Sequence, residues 1–117
     1  MSKPEALSPA KLKDAAPLFA ALGDATRLGL LVSLCASGPA SLTRLSGRFE
    51  VSRQAITKHL EVLSEAGLVT SVREGRERIW ALEPTRLADA HAYLDRISRQ
   101  WDDALARLQA FVETDRP

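Results

Sequence analysis

Arg53, Gln54, Thr57 and Lys58 stand close together in the chain, and their types are those that contact the edges of base pairs. Gln can pair bidentately with adenine, Arg or Lys with guanine, and the Thr methyl can touch thymine. Such contacts require the four side chains at one end of a helix, within the turns that enter a major groove. Three further arginines, Arg73, Arg76 and Arg78, cluster twenty residues on, a spacing suited to phosphates or a narrow minor groove.

The first group needs a helix over 52–66, and the residues there specify one. Ser52 is a good N-cap, and Gly67 can adopt the left-handed conformation that ends a helix. Ile56, Leu60 and Leu63 recur at the helical period and form an inward stripe. Gln54, Thr57, Lys58 and Glu61 share the opposite face, with Arg53 at its edge. Upstream, 41–49 reads as a short helix containing Arg44, with Leu42, Leu45 and Phe49 inward. Only Glu50 and Val51 separate it from the Ser52 cap, and two helices joined by so short a turn make a helix-turn-helix. Downstream, 69–73 and 76–82 are extended runs joined through Glu74 and Gly75, a tight hairpin whose glycine can supply a positive φ. Trp80 and Leu82 share one strand face and would anchor this wing to the core.

Charge distribution favours the same region. From Arg44 to Arg78 there are seven Lys/Arg against five Asp/Glu, a balance of +2; from Glu83 to Pro117 there are five against seven, a balance of −2. The net charge of +1 thus conceals a basic excess on the helix-turn-helix and wing.

The remaining elements must hold this unit. At 117 residues and 45% hydrophobic content the chain is expected to form one domain. A loose arm is expected over 1–10, with the domain over 11–117. Helix 11–22 contains Pro17; Gly23 ends it, and Asp24 caps a second helix over 25–36. Leu28, Leu31, Val32 and Cys35 are read as the apolar side of that second helix, with Cys35 a small buried hydrophobe. A single cysteine cannot form an internal disulfide, and neither a membrane-spanning run nor a signal peptide is evident, so a cytoplasmic location is expected.

After Pro84 a long helix is expected over 85–114. Leu87, Leu94, Trp101 and Leu108 are spaced by seven, with Ala90, Ile97, Ala104 and Phe111 three behind each. Two heptad columns over four repeats favour an interface between helices, and helix 11–22 is too short to cover them. A homodimer is therefore expected, with Leu87, Leu94, Ile97, Trp101, Leu108 and Phe111 in the interface. The fold class is mainly α with a small β-hairpin: a homodimeric winged helix-turn-helix.

These segments together resemble the ArsR-type winged-helix transcriptional repressors over nearly all of residues 14–113. Ala21-Leu-Gly-Asp-Ala-Thr-Arg-Leu28 is similar to the family's opening signature, with Ala25 where proline is usual. Ser52-Arg-Gln-Ala-Ile-Thr-Lys-His-Leu60, with Leu63 and Ala66-Gly-Leu-Val69, is similar to its recognition helix. Arg73-Glu-Gly-Arg76 with Trp80 and Leu82 is similar to its wing. The resemblance implies a homodimer that binds a roughly palindromic operator and blocks transcription, paired through its first and last helices.

Many members sense metals, and here the sequence departs from them. No cysteine lies within 41–49, where such members carry a pair. Asp89 and His91 resemble half of a second kind of site, whose completing positions hold Asp102 and Leu105. With His59 and His91 as the only histidines, a closed zinc site lacks ligands, so neither metal nor cofactor is expected. Two alternatives stand beside the repressor reading. One is a metal- or thiol-responsive sensor acting through Cys35 or His91; the other is a winged helix used only for protein contacts. An enzyme is not indicated, because no nucleophile, base and orienting group form a recognisable set.

Overall fold

The computed structural model describes residues 8–114. The first helix, α1 (Pro9–Leu22), starts just ahead of the expected boundary because Ser8 caps it, its Oγ accepting from the Lys11 amide at 3.2 Å, and Pro9 occupies the first turn. Of the expected arm, residues 1–7 lie outside the described residues. Pro17 is tolerated within α1, which presents Ala15, Leu18 and Ala21 to the core. The chain then turns by 90° into α2 (Ala25–Ser37). Asp24 caps α2 as expected, its Oδ2 accepting from the Arg27 amide at 3.0 Å.

The buried side of α2 differs from expectation. Leu30, Leu31 and Leu34 are buried, whereas Leu28 and Val32 are 49% and 61% exposed and Cys35 is also exposed. Apolar residues occupy most of the circumference of this helix, so periodicity alone does not choose among them. The choice falls to what packs against α2, namely the helix over 53–65 and the last strand.

Gly38 ends α2, and a two-residue strand follows, β1 (Ala40–Ser41), too short to leave a sequence pattern. Next comes α3 (Leu42–Ser46), shorter than the expected 41–49, because Gly47 and Arg48 close the helix with bonds back to Thr43 and Leu45. Phe49 still packs against the core. Its ring lies so near Gly29 that a Cβ there would stand 2.9 Å from Phe49 Cε1, so a side chain at that position of α2 would require the ring to shift.

Helix α4 (Arg53–Glu65) has the anticipated cap and stop. Ser52 Oγ accepts from the Ala55 amide at 3.1 Å. At the far end Gly67 takes φ +80°, while its amide bonds Ser64 and that of Leu68 bonds Leu63, the paired closure that satisfies the last carbonyls. Ile56, Leu60 and Leu63 are fully buried, as their spacing required.

The wing consists of β2 (Val69–Glu74) and β3 (Glu77–Leu82), antiparallel, with β1 on the other side of β3 so that the sheet order is β1-β3-β2. The hairpin tip is Gly75 and Arg76, one residue further along than the expected Glu74 and Gly75, since Glu74 pairs with Glu77. Gly75 has φ +64° at the first turn position, the geometry that suits a two-residue hairpin. Trp80 is buried opposite Ala40, and Leu82 packs against the core, which fixes the wing's base.

The last helix, α5 (Pro84–Thr114), packs on α1 through its first half only. Every residue from 98 to 114 is exposed. The Cα radius of gyration, 19.1 Å, accordingly exceeds the roughly 13 Å of a compact chain of this size.

Candidate nucleic-acid interface

Helix α4 is held near its middle and at its C-terminal end by side chains that sequence reasoning did not single out. Near its middle, the Arg27 guanidinium donates to the Ala21 carbonyl at 2.6 Å and lies 3.3 Å from His59 Nδ1. Asp24 stands 3.8 Å from the same nitrogen. Arg27 thereby ties the end of α1 and the start of α2 to α4, and His59 faces this joint. The Asp24 carboxyl is held below its ordinary pKa, chiefly by the Arg27 amide it accepts from, so it stays ionised in place.

At the other end, the stem of Arg86 packs over Gly67, where a Cβ would approach its Cγ to 2.9 Å. The Arg86 guanidinium donates to Asp89 Oδ2 at 2.9 Å and to Asp14 Oδ2 at 3.3 Å. Tyr93 Oη donates to the same Asp14 oxygen at 2.8 Å. These bonds lower the Asp14 carboxyl pKa, the Tyr93 hydroxyl contributing most, and join α1, α5 and the end of α4. Asp89 is therefore engaged by Arg86. Among the described residues no three His, Cys, Asp or Glu side chains gather where they could share a metal ion.

On the opposite side of α4 the expected residues stand free of such ties. Arg53, Gln54 and Lys58 are exposed, and Thr57 is half-buried, its hydroxyl donating to the Arg53 carbonyl at 3.0 Å. The Thr57 donor is thus used within the helix, leaving its methyl and a lone pair for an outside contact. The structure brings Arg53 together with Arg73, Arg76 and Arg78 around one cleft of about 180 Å³ between the start of α4 and the wing. Thr43, Leu42 and Glu77 complete its lining. Arg78 is steadied by Ser71 Oγ at 2.8 Å across the hairpin, while Arg73 and Arg76 are fully on the surface. Arg44 is exposed on α3 but does not line the cleft. Thr43 escaped the sequence reading because a lone threonine at a helix start carries no signal; the fold alone sets it beside four arginines.

An exposed polar helix face thus lies beside an arginine-lined wing. A family model described as a helix-turn-helix domain matches residues 22–72, from the end of α1 into the wing. The HTH-type transcriptional regulator Rv2034 of Mycobacterium tuberculosis is 36% identical over 81% of this chain and 85% of the relative. The HTH-type transcriptional repressor SmtB of the same species is 32% identical over 83% of this chain and 70% of its own length. An ArsR-like transcriptional regulator from Rhodococcus sp. RHA1 superposes with a TM-score of 0.70 at 38% identity, covering 87% of this chain and 95% of that one. This chain belongs to the ArsR family of winged helix-turn-helix regulators.

As an ArsR-family protein it is a DNA-binding transcriptional regulator and not an enzyme. Within that family's fold, α3 and α4 are the helix-turn-helix and β2–β3 the wing. No single helix among its described residues is long and apolar enough to cross a membrane.

Proposed function

We propose that this ArsR-family chain acts in the cytoplasm as a homodimeric repressor on a roughly palindromic operator. The observation that carries the reading is the convergence of Arg53, Arg73, Arg76 and Arg78 on one cleft beside the exposed face of α4. Gln54 and Thr57 read bases from the first turns of α4, with Arg53 and Lys58 beside them. Arg73, Arg76 and Arg78 take phosphates or the minor groove, and Arg44 adds a peripheral phosphate contact. A dimer held through α5 places two such units about 34 Å apart, which calls for half-sites about ten base pairs apart, centre to centre.

The test is to select and sequence DNA fragments bound by the purified protein, then compare the recovered site with random duplex over a salt series. A recovered inverted repeat whose affinity falls steeply with salt is the expected result. Equal, salt-insensitive retention of all fragments would reduce the fold to a protein-contact module. Operator binding is expected to be independent of metal, since Arg86 occupies Asp89 and the completing positions hold Asp102 and Leu105. Release of the operator by near-stoichiometric zinc, copper(I), nickel or arsenite, abolished by His91→Ala or Cys35→Ser, would overturn this.

A further inference from the structure

Thr43 is exposed on α3 and lines the cleft between the start of α4 and the wing, together with Arg53, Arg73, Arg76 and Arg78 and the single carboxylate of Glu77. The neighbouring hydroxyls of this surface are engaged. Ser41 Oγ accepts from the Arg44 amide, Ser52 Oγ from the Ala55 amide and Ser71 Oγ from the Arg78 guanidinium, while Thr57 Oγ1 donates to the Arg53 carbonyl. Thr43 Oγ1 has no hydrogen-bond partner among the described residues. It stands at the second position of a helix of five residues, set between β1 and Gly47. So short a helix has little stability of its own, and a segment of this kind opens locally at low cost to an enzyme that must reach it.

We propose that Thr43 is a phosphorylation site whose phosphate closes the cleft to DNA. This rests on the DNA-binding reading above and adds a regulation to the same site. The modifying enzyme is a protein kinase that uses a nucleoside triphosphate. Thr43 Oγ1 attacks the γ-phosphorus, the new O–P bond forms as the bond to the bridging oxygen of the leaving diphosphate breaks, and the hydroxyl proton passes to the kinase's base. The product carries a charge of about −1.5 to −2 and three strong acceptor oxygens. Guanidinium groups offer such oxygens paired N–H donors in a fixed fork. The arginines that attract a DNA backbone phosphate therefore meet one already attached beside them, and an attached group competes as an intramolecular ligand. Unmodified, the cleft is open and basic; modified, it is filled and much of its charge is offset.

Three measurements test this. The full chain is first incubated with a lysate of the cells in which it is native and with γ-labelled ATP. Label on the wild type that is missing from Thr43→Val is expected; no label, or equal label on both, would overturn the site. Next, Thr43→phosphoserine, installed by codon suppression, is titrated with random duplex over a salt series. Displacing two fewer counterions should flatten the slope of log K against log salt by about two units, which is about 60-fold in affinity at ~0.1 M salt. Affinity equal to that of the unmodified chain would overturn the closure. Finally, phosphorus NMR of the same variant reads the arginine clasp without DNA. The second ionisation of the phosphate should fall below its ordinary value of about 6 and return toward it in Arg73→Ala and Arg78→Ala. An ordinary value with all four arginines present would overturn the clasp. Labelling and the NMR titration need no DNA, so an unmodified chain that ignores duplex altogether would sink the DNA-binding reading separately from the modification site.

Discussion

Two ends of this molecule are equally exposed, and exposure means different things at each. Around the start of α4 and the wing, what faces water is Arg53, Gln54, Lys58, Arg73 and Arg76, side chains that water solvates well. Along the second half of α5 it is Trp101, Leu105, Leu108, Phe111 and Val112, which water solvates poorly. The first surface suits a charged partner, while the second leaves apolar side chains in water. The supports differ too. The recognition helix is clamped by Arg27 and His59 near its middle and by Arg86 against Gly67 at its end, whereas among the described residues α5 is exposed throughout 98–114. Rigid presentation suits base reading, which fails if the side chains wander; a free helix suits pairing with its own copy.

The contrast can be broken most forcefully at Trp101. Trp101→Asp should cost more than about 2 kcal/mol of dimer free energy, about 30-fold in dimer Kd, because aromatic side chains near the centre of an interface carry most of its energy. Sedimentation equilibrium reads the shift; an unchanged constant would remove α5 from the interface. At the polar end, Gln54→Ala should cost on the order of 1 to 3 kcal/mol on the operator and less on random DNA. Equal losses in a competition titration would reduce Gln54 to a positioning contact.

Arg76→Ala should weaken all DNA similarly and make the slope of log K against log salt shallower by about one unit. A slope identical to wild type would take the wing tip out of contact. The smallest effect concerns the joint that connects the two ends. The Asp14 carboxyl is depressed below its ordinary value of 3.8, first by Tyr93 and then by Arg86. A depressed carboxyl contributes stability that is fully present above that ordinary value and is lost as the pH falls through the folded-state value. Tyr93→Phe should therefore lower Tm slightly at pH 6, with the gap to wild type closing as the pH is taken below 3.8. A gap that persists in acid would assign the loss to packing instead.

Much of the recognition half was legible because its signals are local. A serine cap at Ser52, a glycine stop at Gly67, an apolar i, i+4, i+7 stripe and a glycine turn each act within a few residues, and all were found where expected save the turn, whose tip lies one residue further on. The long helix after Pro84 was also legible, and of its two heptad columns Leu94, Trp101, Leu108 and Phe111 are exposed. Ala90 is buried against its own domain and Ile97 is half-buried, while Leu105 and Val112 join the exposed row.

What the sequence determined by itself was the helix-turn-helix, the wing and the polarity of each face, since capping, turn chemistry and side-chain period require no knowledge of distant residues. Only tertiary structure decided which side of α2 is buried, because Leu28, Leu30, Leu31, Val32 and Leu34 are equally apolar and the selection belongs to α4 and β3 packing against them. The same holds for β1, whose two residues become a strand by pairing with β3. It holds again for the cleft, where Thr43 and Arg53 meet Arg73, Arg76 and Arg78 because the sheet folds the wing back beside α4. Long-range contact is a property of the whole packed chain, and no local pattern encodes it.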